Sequence, residues 1–338
     1  MFSTPANSIL TILVIVALVL IVPDLVRWAL IQAVWYSPDG TACRAPEAGA
    51  CWALIPEKYR LIFFATYPYE EQWRAAIASI LIIGITAISG IRRLWSPQLV
   101  SAWLAVIALA AALLYGGIFG LPVVGTNLWG GLPLTLLLFV GTVLGGLPLA
   151  IFLALGRTSG LPGIKAICTA VIEITRGVPL VTVLFMASLM LPLFLPDGLT
   201  VNKLMRAQLG MIVFFAAYAA EVVRGGLQAI PRGQYEAADS LNLGYWKRTG
   251  KIVLPQVFRI ILPALMNDVI RAFKNTTFVS IIGIYDILGA TKAATNDPIW
   301  VRYSTEGYLF IFALYFVICF SMSKYSVGIE RRLAMRRD

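Results

Sequence analysis

The sequence contains no histidine and few charged residues. Of its 338 residues none is histidine, four are cysteine and 13% are charged. Histidine is the commonest general base and a usual zinc ligand, so its absence argues against a metalloenzyme and against a transferase or protease that needs such a base. The small share of charged residues leaves too little polar surface to cover a soluble globule of this length. Water is therefore not expected to be the main solvent of this chain.

Long uninterrupted apolar runs are the main feature of what is present. Apolar residues make up 59% of the chain, and the runs 99–116 and 132–155 are each long enough to cross about 30 Å of hydrocarbon as a helix. A closed barrel would need short segments of alternating polarity, and the run 9–22 does not alternate. We predict an all-α polytopic membrane protein with about eight spans, at about 9–33, 73–90, 99–117, 132–155, 167–195, 205–226, 256–278 and 307–328.

Basic residues lie beside the spans on one side of this topology. They follow the second, fourth, sixth and eighth spans, at Arg92, Arg93, Arg157, Lys165, Arg224, Arg232, Lys247, Arg248, Lys251, Arg331, Arg332, Arg336 and Arg337. Short cytoplasmic loops carry such an excess of lysine and arginine, so we predict that both termini lie in the cytoplasm. The net charge of +10 then reflects membrane topology and a lipid bilayer as partner, with no nucleic acid.

A segment rich in glycine, proline and tryptophan interrupts the apolar pattern at 118–131. It predicts a division near residue 125, between N-terminal accessory spans at 1–125 and a core of five spans at 126–333. The accessory part contains a polar loop, 36–74, which the predicted topology places in the periplasm.

Two of the four cysteines, Cys43 and Cys51, lie in that polar loop. A periplasmic location would allow a disulfide between them, and two free thiols are the alternative. Cys168 and Cys319 lie in apolar stretches and are interpreted as small buried hydrophobic residues. The first apolar segment lacks a basic start and a small-residue cleavage site, so we interpret it as a retained span and not as a signal peptide.

The loop between the sixth and seventh spans is the most informative segment. It reads GGLQAIPRGQYEAADSLNLGYWKRTGKIVLP over 225–255. After a breaker cluster at 231–233, a short helix is predicted at 235–243 with Glu236 in its first turn, where a carboxylate suits the helix dipole. Asn242 or Gly244 is then expected to take a left-handed turn, and a second short helix to end before Pro255. An ordinary amphipathic connector is the alternative interpretation.

The spacing in this loop resembles the EAA motif of permeases of ABC importers. The motif positions are Glu236, Ala237, Ala238, Asn242 in place of the usual glycine, Ile252, Leu254 and Pro255. The sequences AAYAAEVVRGGLQAIPRGQYEAA, KNTTFVSIIGIYDIL and ITRGVPLV resemble the polar amino-acid branch of these permeases, over about 130–333. The N-terminal GACWALIPEKYRLI and YPYEEQW are similar to the M-type subunit of general L-amino-acid importers.

This resemblance implies a non-catalytic permease subunit of the bacterial inner membrane that carries L-amino acids from the periplasm to the cytoplasm, with no cofactor of its own. The loop 231–255, with Glu236, Ala237, Ala238, Asn242 and Gly244, would couple it to a dimer of cytoplasmic ABC ATPases. The sequence has no phosphate-binding G-x-x-x-x-G-K-[ST] motif, so a separate subunit would hydrolyse ATP. A homologous permease, forming a heterodimer, and a periplasmic amino-acid-binding protein are the other implied partners.

The seventh span carries polar residues at helical spacing. They are Asn267, Asp268, Arg271, Lys274 and Asn275, and the spacing places Asp268 beside Arg271 on one face. A buried charge in a span needs a partner or a hydrated cavity, so the residues form either an internal ion pair or a substrate site. The resemblance favours a substrate site at Asn267, Asp268, Arg271 and Lys274, because relatives have an Asn-Glu pair at this place whose acid contacts the amino acid. A plain channel without an internal site is the alternative.

Two further pairs, Glu173 with Arg176 and Glu221 with Arg224, are interpreted as structural ion pairs at the cytoplasmic ends of spans. A bend is expected at Pro179, which cannot donate a helical hydrogen bond. A proton- or sodium-coupled transporter acting alone is the rival function. It would predict inverted repeats in two matching halves, which this sequence does not contain, and it leaves the EAA loop unexplained.

Overall fold

The computed structural model describes residues 4–91, 94–118, 120–196, 198 and 200–334, with side chains described as far as 330. Within these ranges the regular structure is helical. The α-helices are α1 Pro5–Val26, α2 Leu54–Phe64, α3 Gln72–Ser89, α4 Pro97–Tyr115, α5 Gly131–Arg157, α6 Pro162–Gly177, α7 Leu180–Phe185, α8 Lys203–Gln228, α9 Arg232–Ser240, α10 Tyr245–Arg248, α11 Leu254–Asn275, α12 Ile287–Thr295 and α13 Ser304–Ala334.

Seven helical segments of the described chain are long and apolar enough to cross a membrane. They are Pro5–Ile31, Tyr69–Ser89, Pro97–Tyr115, Gly131–Arg157, Lys203–Gln228, Tyr245–Ile282 and Val301–Glu330. Each overlaps one of the predicted spans, so the all-α polytopic fold class is confirmed. Of the predicted cytoplasmic bases, Arg92, Arg93, Arg336 and Arg337 lie outside the described residues, as do the side chains of Arg331 and Arg332.

The remaining predicted span, 167–195, is broken. Helices Pro162–Gly177 and Leu180–Phe194 meet at an angle of 109°, so the eighth span exists only if this bent pair is taken as one. The break falls at the predicted position, because Val178 and Pro179 both have extended backbone conformations. Proline lacks the N–H that would continue the helix and pushes the residue before it out of the helical region.

Helices α5 and α8 pack closely through small residues. A Cβ atom added at Gly145 on α5 would lie 2.8 Å from Cδ1 of Ile212 on α8, and one added at Gly141 would lie 3.0 Å from the side-chain oxygen of Gln208. A larger side chain at either glycine would have to displace the end of Ile212 or Gln208, as expected where glycines spaced four apart bring membrane helices together. This contact gives α8 a rigid support, and α8 carries four of the ten residues that line the candidate site.

The chain forms two compact units. One comprises Met1–Ile62 with Ala290–Ala313, and the other comprises Phe63–Gly289 with Leu314–Asp338, apart from the undescribed residues. The predicted boundary near residue 125 falls within the second unit, and the division into accessory spans and core stays a prediction.

Arg74 is a fully buried charged residue of the second unit. We counted it with the polar loop, but it lies in α3 and its side chain is fully buried. Its guanidinium pairs with Glu71 at 3.1 Å and donates to the carbonyl of Pro122 at 3.0 Å and to the hydroxyl of Tyr67 at 2.9 Å. A buried arginine is tolerated only with such partners. The contact to Pro122 ties the connector 118–131 to α3.

The first unit holds the polar loop with Cys43 and Cys51. The two sulfurs are bonded in the structure, and the Cα atoms lie 5.5 Å apart, within the usual range for a disulfide. The backbone N–H of Cys51 donates to the buried carboxylate of Glu306 at 2.9 Å. Trp300, also buried, packs against both cysteines. The oxidation state of these cysteines in the cell stays a prediction.

We predict that Cys43 and Cys51 are oxidised to each other in the native protein. A maleimide applied to denatured, unreduced protein should then label only Cys168 and Cys319, the two free cysteines, and reduction should add two labels. Mass spectrometry of the intact chain measures both numbers. Full labelling without a reductant would contradict the prediction, and the Cys43→Ser variant, which frees Cys51, controls for accessibility.

Candidate functional site

The loop between α8 and α11 folds as the helix α9 closed by a left-handed residue. Asn242 has φ 52°, and the N–H of Leu243 donates to the carbonyl of Ala238 at 3.2 Å while the N–H of Asn242 donates to the carbonyl of Asp239 at 2.9 Å. These two bonds define a Schellman motif, in which asparagine is the best substitute for glycine. Asn242 therefore takes the expected left-handed turn, whereas Gly244 has φ −61°.

Two details of the predicted loop are wrong. Helix α9 begins at Arg232 rather than at residue 235, so Glu236 is its fifth residue and lies beyond the first turn. The second helix does not end before Pro255. It runs from α10 through a π-helical turn, Thr249–Val253, directly into α11. Pro255 has no N–H to donate within this continuous helix, and departures from regular α-helical geometry such as the adjacent π-helical turn are typical of such positions.

Side chains fasten α9 to the helices on either side of it. The hydroxyl of Tyr235 donates to the carbonyl of Leu227, near the end of α8, at 3.2 Å. Arg248 in α10 pairs with Asp239 in α9, and its guanidinium carbon lies 5.7 Å from the centre of the Tyr235 ring. Burial raises the pKa of Tyr235, so this phenol stays protonated and able to donate. Helix α9 is thus connected to both α8 and α11.

Two large apolar side chains are exposed on the surface of this loop. Leu241 is 72% exposed and Trp246 is 70% exposed. Glu236, Ala237, Asn242 and Gly244 are exposed as well, whereas Ala238 is buried. Leu241 lies outside the candidate spans and Trp246 lies at the start of one, Tyr245–Ile282. Exposed large apolar side chains at such places are typical of a surface that binds another protein.

A small cavity lies between α8 and α11 within the second unit. Its volume is about 20 Å³, which is room for about one water molecule. Most of its lining is apolar and most of the polar groups come from α11. The lining residues are Thr142, Leu180, Met211, Phe214, Phe215, Tyr218, Asp268, Arg271, Ala272 and Asn275.

Asp268 is the buried charge of this cavity. It is 5% exposed, and its Oδ1 atom accepts from Arg271 at 3.0 Å. Its other oxygen, Oδ2, is buried and has no hydrogen-bond partner in the described part of the chain. The side chain of Arg271 is 50% exposed. The cavity therefore presents one unsatisfied anionic oxygen and one accessible cation.

Two of the four predicted site residues lie at the cavity and two do not. Asp268 and Arg271 line it, whereas Asn267 and Lys274 are exposed and are not among its lining residues. Sequence reasoning missed Tyr218, whose ring centre lies 5.3 Å from the guanidinium carbon of Arg271. Its spacing of four from Phe214 on one helical face is the signal that points to it.

A cluster of ion pairs surrounds Glu221 on α8. Its carboxylate contacts Arg157 of α5 at 2.9 Å, Arg176 of α6 at 3.5 Å and Arg224 of α8 at 3.0 Å. The predicted pair of Glu221 with Arg224 forms. The predicted pairing of Glu173 with Arg176 is wrong, because Glu173 pairs with Arg157 at 2.8 Å instead. Residues three apart on a helix are neighbours, but charged residues on adjacent helices compete for the same partners.

Asp286 is a second buried acid in this unit, and the sequence did not single it out. Its side chain is fully buried and accepts from the N–H of Gly289 at 2.9 Å, which caps the start of α12. Burial raises its pKa to about 7, although hydrogen bonds from backbone N–H groups act in the opposite direction. In the part of the chain that the structure describes, no group of three histidine, cysteine or acidic residues is placed to hold a metal ion.

Comparison with known proteins identifies the family of the chain. The family described as "Binding-protein-dependent transport system inner membrane component" matches residues 146–334. The inner membrane amino-acid ABC transporter permease protein YhdY of Escherichia coli (strain K12) is 45% identical over 98% of this chain and 90% of its own length. The glutamate/glutamine/aspartate/asparagine transport system permease protein BztC of Rhodobacter capsulatus is 35% identical over 100% of this chain and 92% of its own.

A solved structure agrees in fold. The crystal structure of an amino acid ABC transporter with histidines is similar over 59% of this chain and 90% of that chain, with a TM-score of 0.52 and 32% identity. The match to the family covers more than half of the sequence and includes the helices of the cavity and the whole loop that contains α9. The chain therefore belongs to the family of binding-protein-dependent transport system inner membrane components, the permease subunits of ABC importers.

Proposed function

We propose that this permease carries L-amino acids from the periplasm to the cytoplasm through a site at Asp268 and Arg271. The observation that carries the proposal is the pairing of opposite charges at one cavity. The free Oδ2 atom of Asp268 suits an α-ammonium group, and the accessible guanidinium of Arg271 suits an α-carboxylate. The names of the relatives YhdY and BztC, which are amino-acid permeases, support this substrate class.

The cavity is too small for an amino acid in this conformation, since it has room for about one water molecule. Substrate entry therefore requires α8 and α11 to separate. Alternating access by the movement of packed helices against one another provides such an opening. The structure then corresponds to a closed state of the pathway.

ATP hydrolysis by a separate pair of ABC ATPases would supply the energy. The exposed apolar residues Leu241 and Trp246, beside Glu236 and Asn242, form a surface suited to bind them. Helix α9 is fastened to both cavity helices, so displacement of α9 would move α8 and α11. A periplasmic amino-acid-binding protein and a homologous permease, paired with this chain as a heterodimer, complete the proposed assembly.

The orientation of the chain is part of the same proposal. With eight spans both termini lie on one side, and the basic loops mark that side as cytoplasmic. The segment with α9 is then in the cytoplasm and the disulfide loop in the periplasm. Affinity purification of the tagged chain in mild detergent tests the assembly, because mass spectrometry should find an ABC ATPase and a second permease. Recovery of the chain alone or only with itself would contradict it.

We predict that Asp268→Asn reduces transport and changes the substrate profile. The substitution keeps the shape of the side chain and removes the charge that attracts an ammonium group, so uptake of cationic amino acids should fall more than uptake of neutral ones. Uptake into vesicles measures the profile, with Asp24→Asn as the matched control in α1. An unchanged profile, with membrane level and ATP hydrolysis also unchanged, would leave Asp268 as half of a structural ion pair.

We predict that Glu236→Lys uncouples the permease from its ATPase while the chain still inserts into the membrane. Glu236 is exposed on α9, so reversal of its charge alters the docking surface without removing a buried contact. ATP-dependent uptake should collapse and co-purification of the ATPase should weaken. Glu47→Lys makes the same charge change in the polar loop and should leave uptake unchanged. Normal uptake by Glu236→Lys would remove the coupling role of this segment.

A further inference from the structure

The ring of Tyr218 lies near two guanidinium groups from two other helices. The guanidinium carbon of Arg271 on α11 is 5.3 Å from the ring centre, and that of Arg176 on α6 is 5.5 Å from it. Both distances are within the range of a cation–π contact. Tyr218 also lines the cavity and packs against Phe214, with ring centres 4.9 Å apart. One aromatic residue therefore touches the cavity cation and a cation outside the cavity.

Each arginine has a carboxylate of its own. Arg271 pairs with Asp268 at 3.0 Å, and Arg176 pairs with Glu221 at 3.5 Å. The contact of Arg176 is the longest of the three that Glu221 makes, since Arg157 lies at 2.9 Å and Arg224 at 3.0 Å. Two like charges beside one ring repel each other and compete for its negative face. Glu221 limits this competition because it neutralises Arg176.

Beyond the pair of Glu173 with Arg157, the described residues of α6 offer few buried contacts that hold Arg176 in place. Among the described residues of α6, Ile172 and Thr175 are buried, and most of the others are exposed. The position of Arg176 thus depends strongly on its polar contacts. Arg271 is half exposed on a long, flexible side chain, so it too needs a partner that restricts its rotamers. Its pair with Asp268 lies on its own helix, and the ring of Tyr218 is its contact with α8.

We propose that Tyr218 is a positioning residue, whose ring holds the guanidinium of Arg271 at the cavity, and that Glu221 maintains this hold by retaining the competing cation Arg176. The inference rests on the proposed function, because it assigns to Arg271 the carboxylate of the transported amino acid. It makes the position of Arg271 depend on Glu221, a residue with which Arg271 forms no ion pair. Loss of the Glu221 charge should loosen Arg271, although Glu221 does not line the cavity.

The test uses the assembled transporter in proteoliposomes, with a radiolabelled mixture of the protein L-amino acids and a saturating amount of loaded binding protein. The quantity measured is the number of amino acids accumulated per ATP hydrolysed. Tyr218→Leu should lower this ratio about fivefold, the loss expected of one cation–π contact, while stimulated ATP hydrolysis stays at the wild-type rate. Tyr218→Phe keeps the ring and should restore the ratio. Tyr308→Leu, at an exposed tyrosine of α13, is the matched control.

A second set of variants separates the shared ring from a merely structural cluster. Glu221→Gln should lower the same ratio, because Arg176 is then left uncompensated beside the ring. Adding Arg176→Met to Glu221→Gln should restore the ratio, because it removes the competing cation. If the cluster only holds helices together, the second substitution deletes one more contact and should deepen the defect.

The outcomes distinguish this inference from the proposed function. If the wild-type assembly accumulates no amino acid, the proposed function fails and the inference fails with it. If the wild type transports but Tyr218→Leu keeps the full ratio, or Arg176→Met fails to rescue Glu221→Gln, only the inference is overturned. Should Tyr218→Leu not reach the membrane, the pair of variants at Glu221 and Arg176 still decides the question.

Discussion

A carboxylate buried among membrane helices, with one of its two oxygens unpaired, is the constraint on which the rest of this site depends. An acid near the centre of a span costs about 2.5–3.5 kcal/mol on insertion scales, and a buried acceptor without a partner costs about 1–3 kcal/mol. Arg271 neutralises Asp268 but contacts only its Oδ1 atom. In the proposed function, the remaining oxygen would stabilise the ammonium group of a passing amino acid, which would explain why a charged site is kept among apolar helices.

In the proposed function, movement of the loop that contains α9 changes this site. The hydroxyl of Tyr235 in α9 donates to the carbonyl of Leu227, near the end of α8. Helix α11 continues from α10 through a π-helical turn. Turns of this kind occur often at functional sites, because they insert an extra residue into a helix without ending it. Helices α8 and α11, which line the cavity, are thus also the two helices to which α9 is connected. In the proposed function, a protein that displaces α9 would therefore move both helices of the cavity together.

Local rules predicted the features that depend on neighbouring residues. Hydropathy located the spans, proline located the break at Pro179, and the tolerance of asparagine for positive φ located the turn at Asn242. Spacing of three along a helix predicted the pair of Asp268 with Arg271. The breaker cluster at 231–233 predicted too late a start for α9 and so misplaced Glu236 in its first turn. The start of this helix is set by where the chain leaves α8 and not by the motif.

Contacts between helices were beyond the sequence. Arg176 lies near Glu173 in the sequence, yet its carboxylate partner is on α8, and Tyr218 meets two cations that are distant along the chain. Such partners follow from the close approach of α5 to α8 and from the 109° break that follows α6. Asp286 is another example, since nothing in its neighbourhood indicated that it would be fully buried.

Reconstituted uptake tests the central claim most directly. The chain, its co-purifying permease and ATPase, and a loaded binding protein are placed in proteoliposomes with ATP inside or outside, and accumulation of radiolabelled L-amino acids in the lumen is measured. Amino acids should accumulate only when ATP is on the side of α9 and the binding protein is on the other side. Accumulation without ATP, or in the absence of this chain, would contradict it.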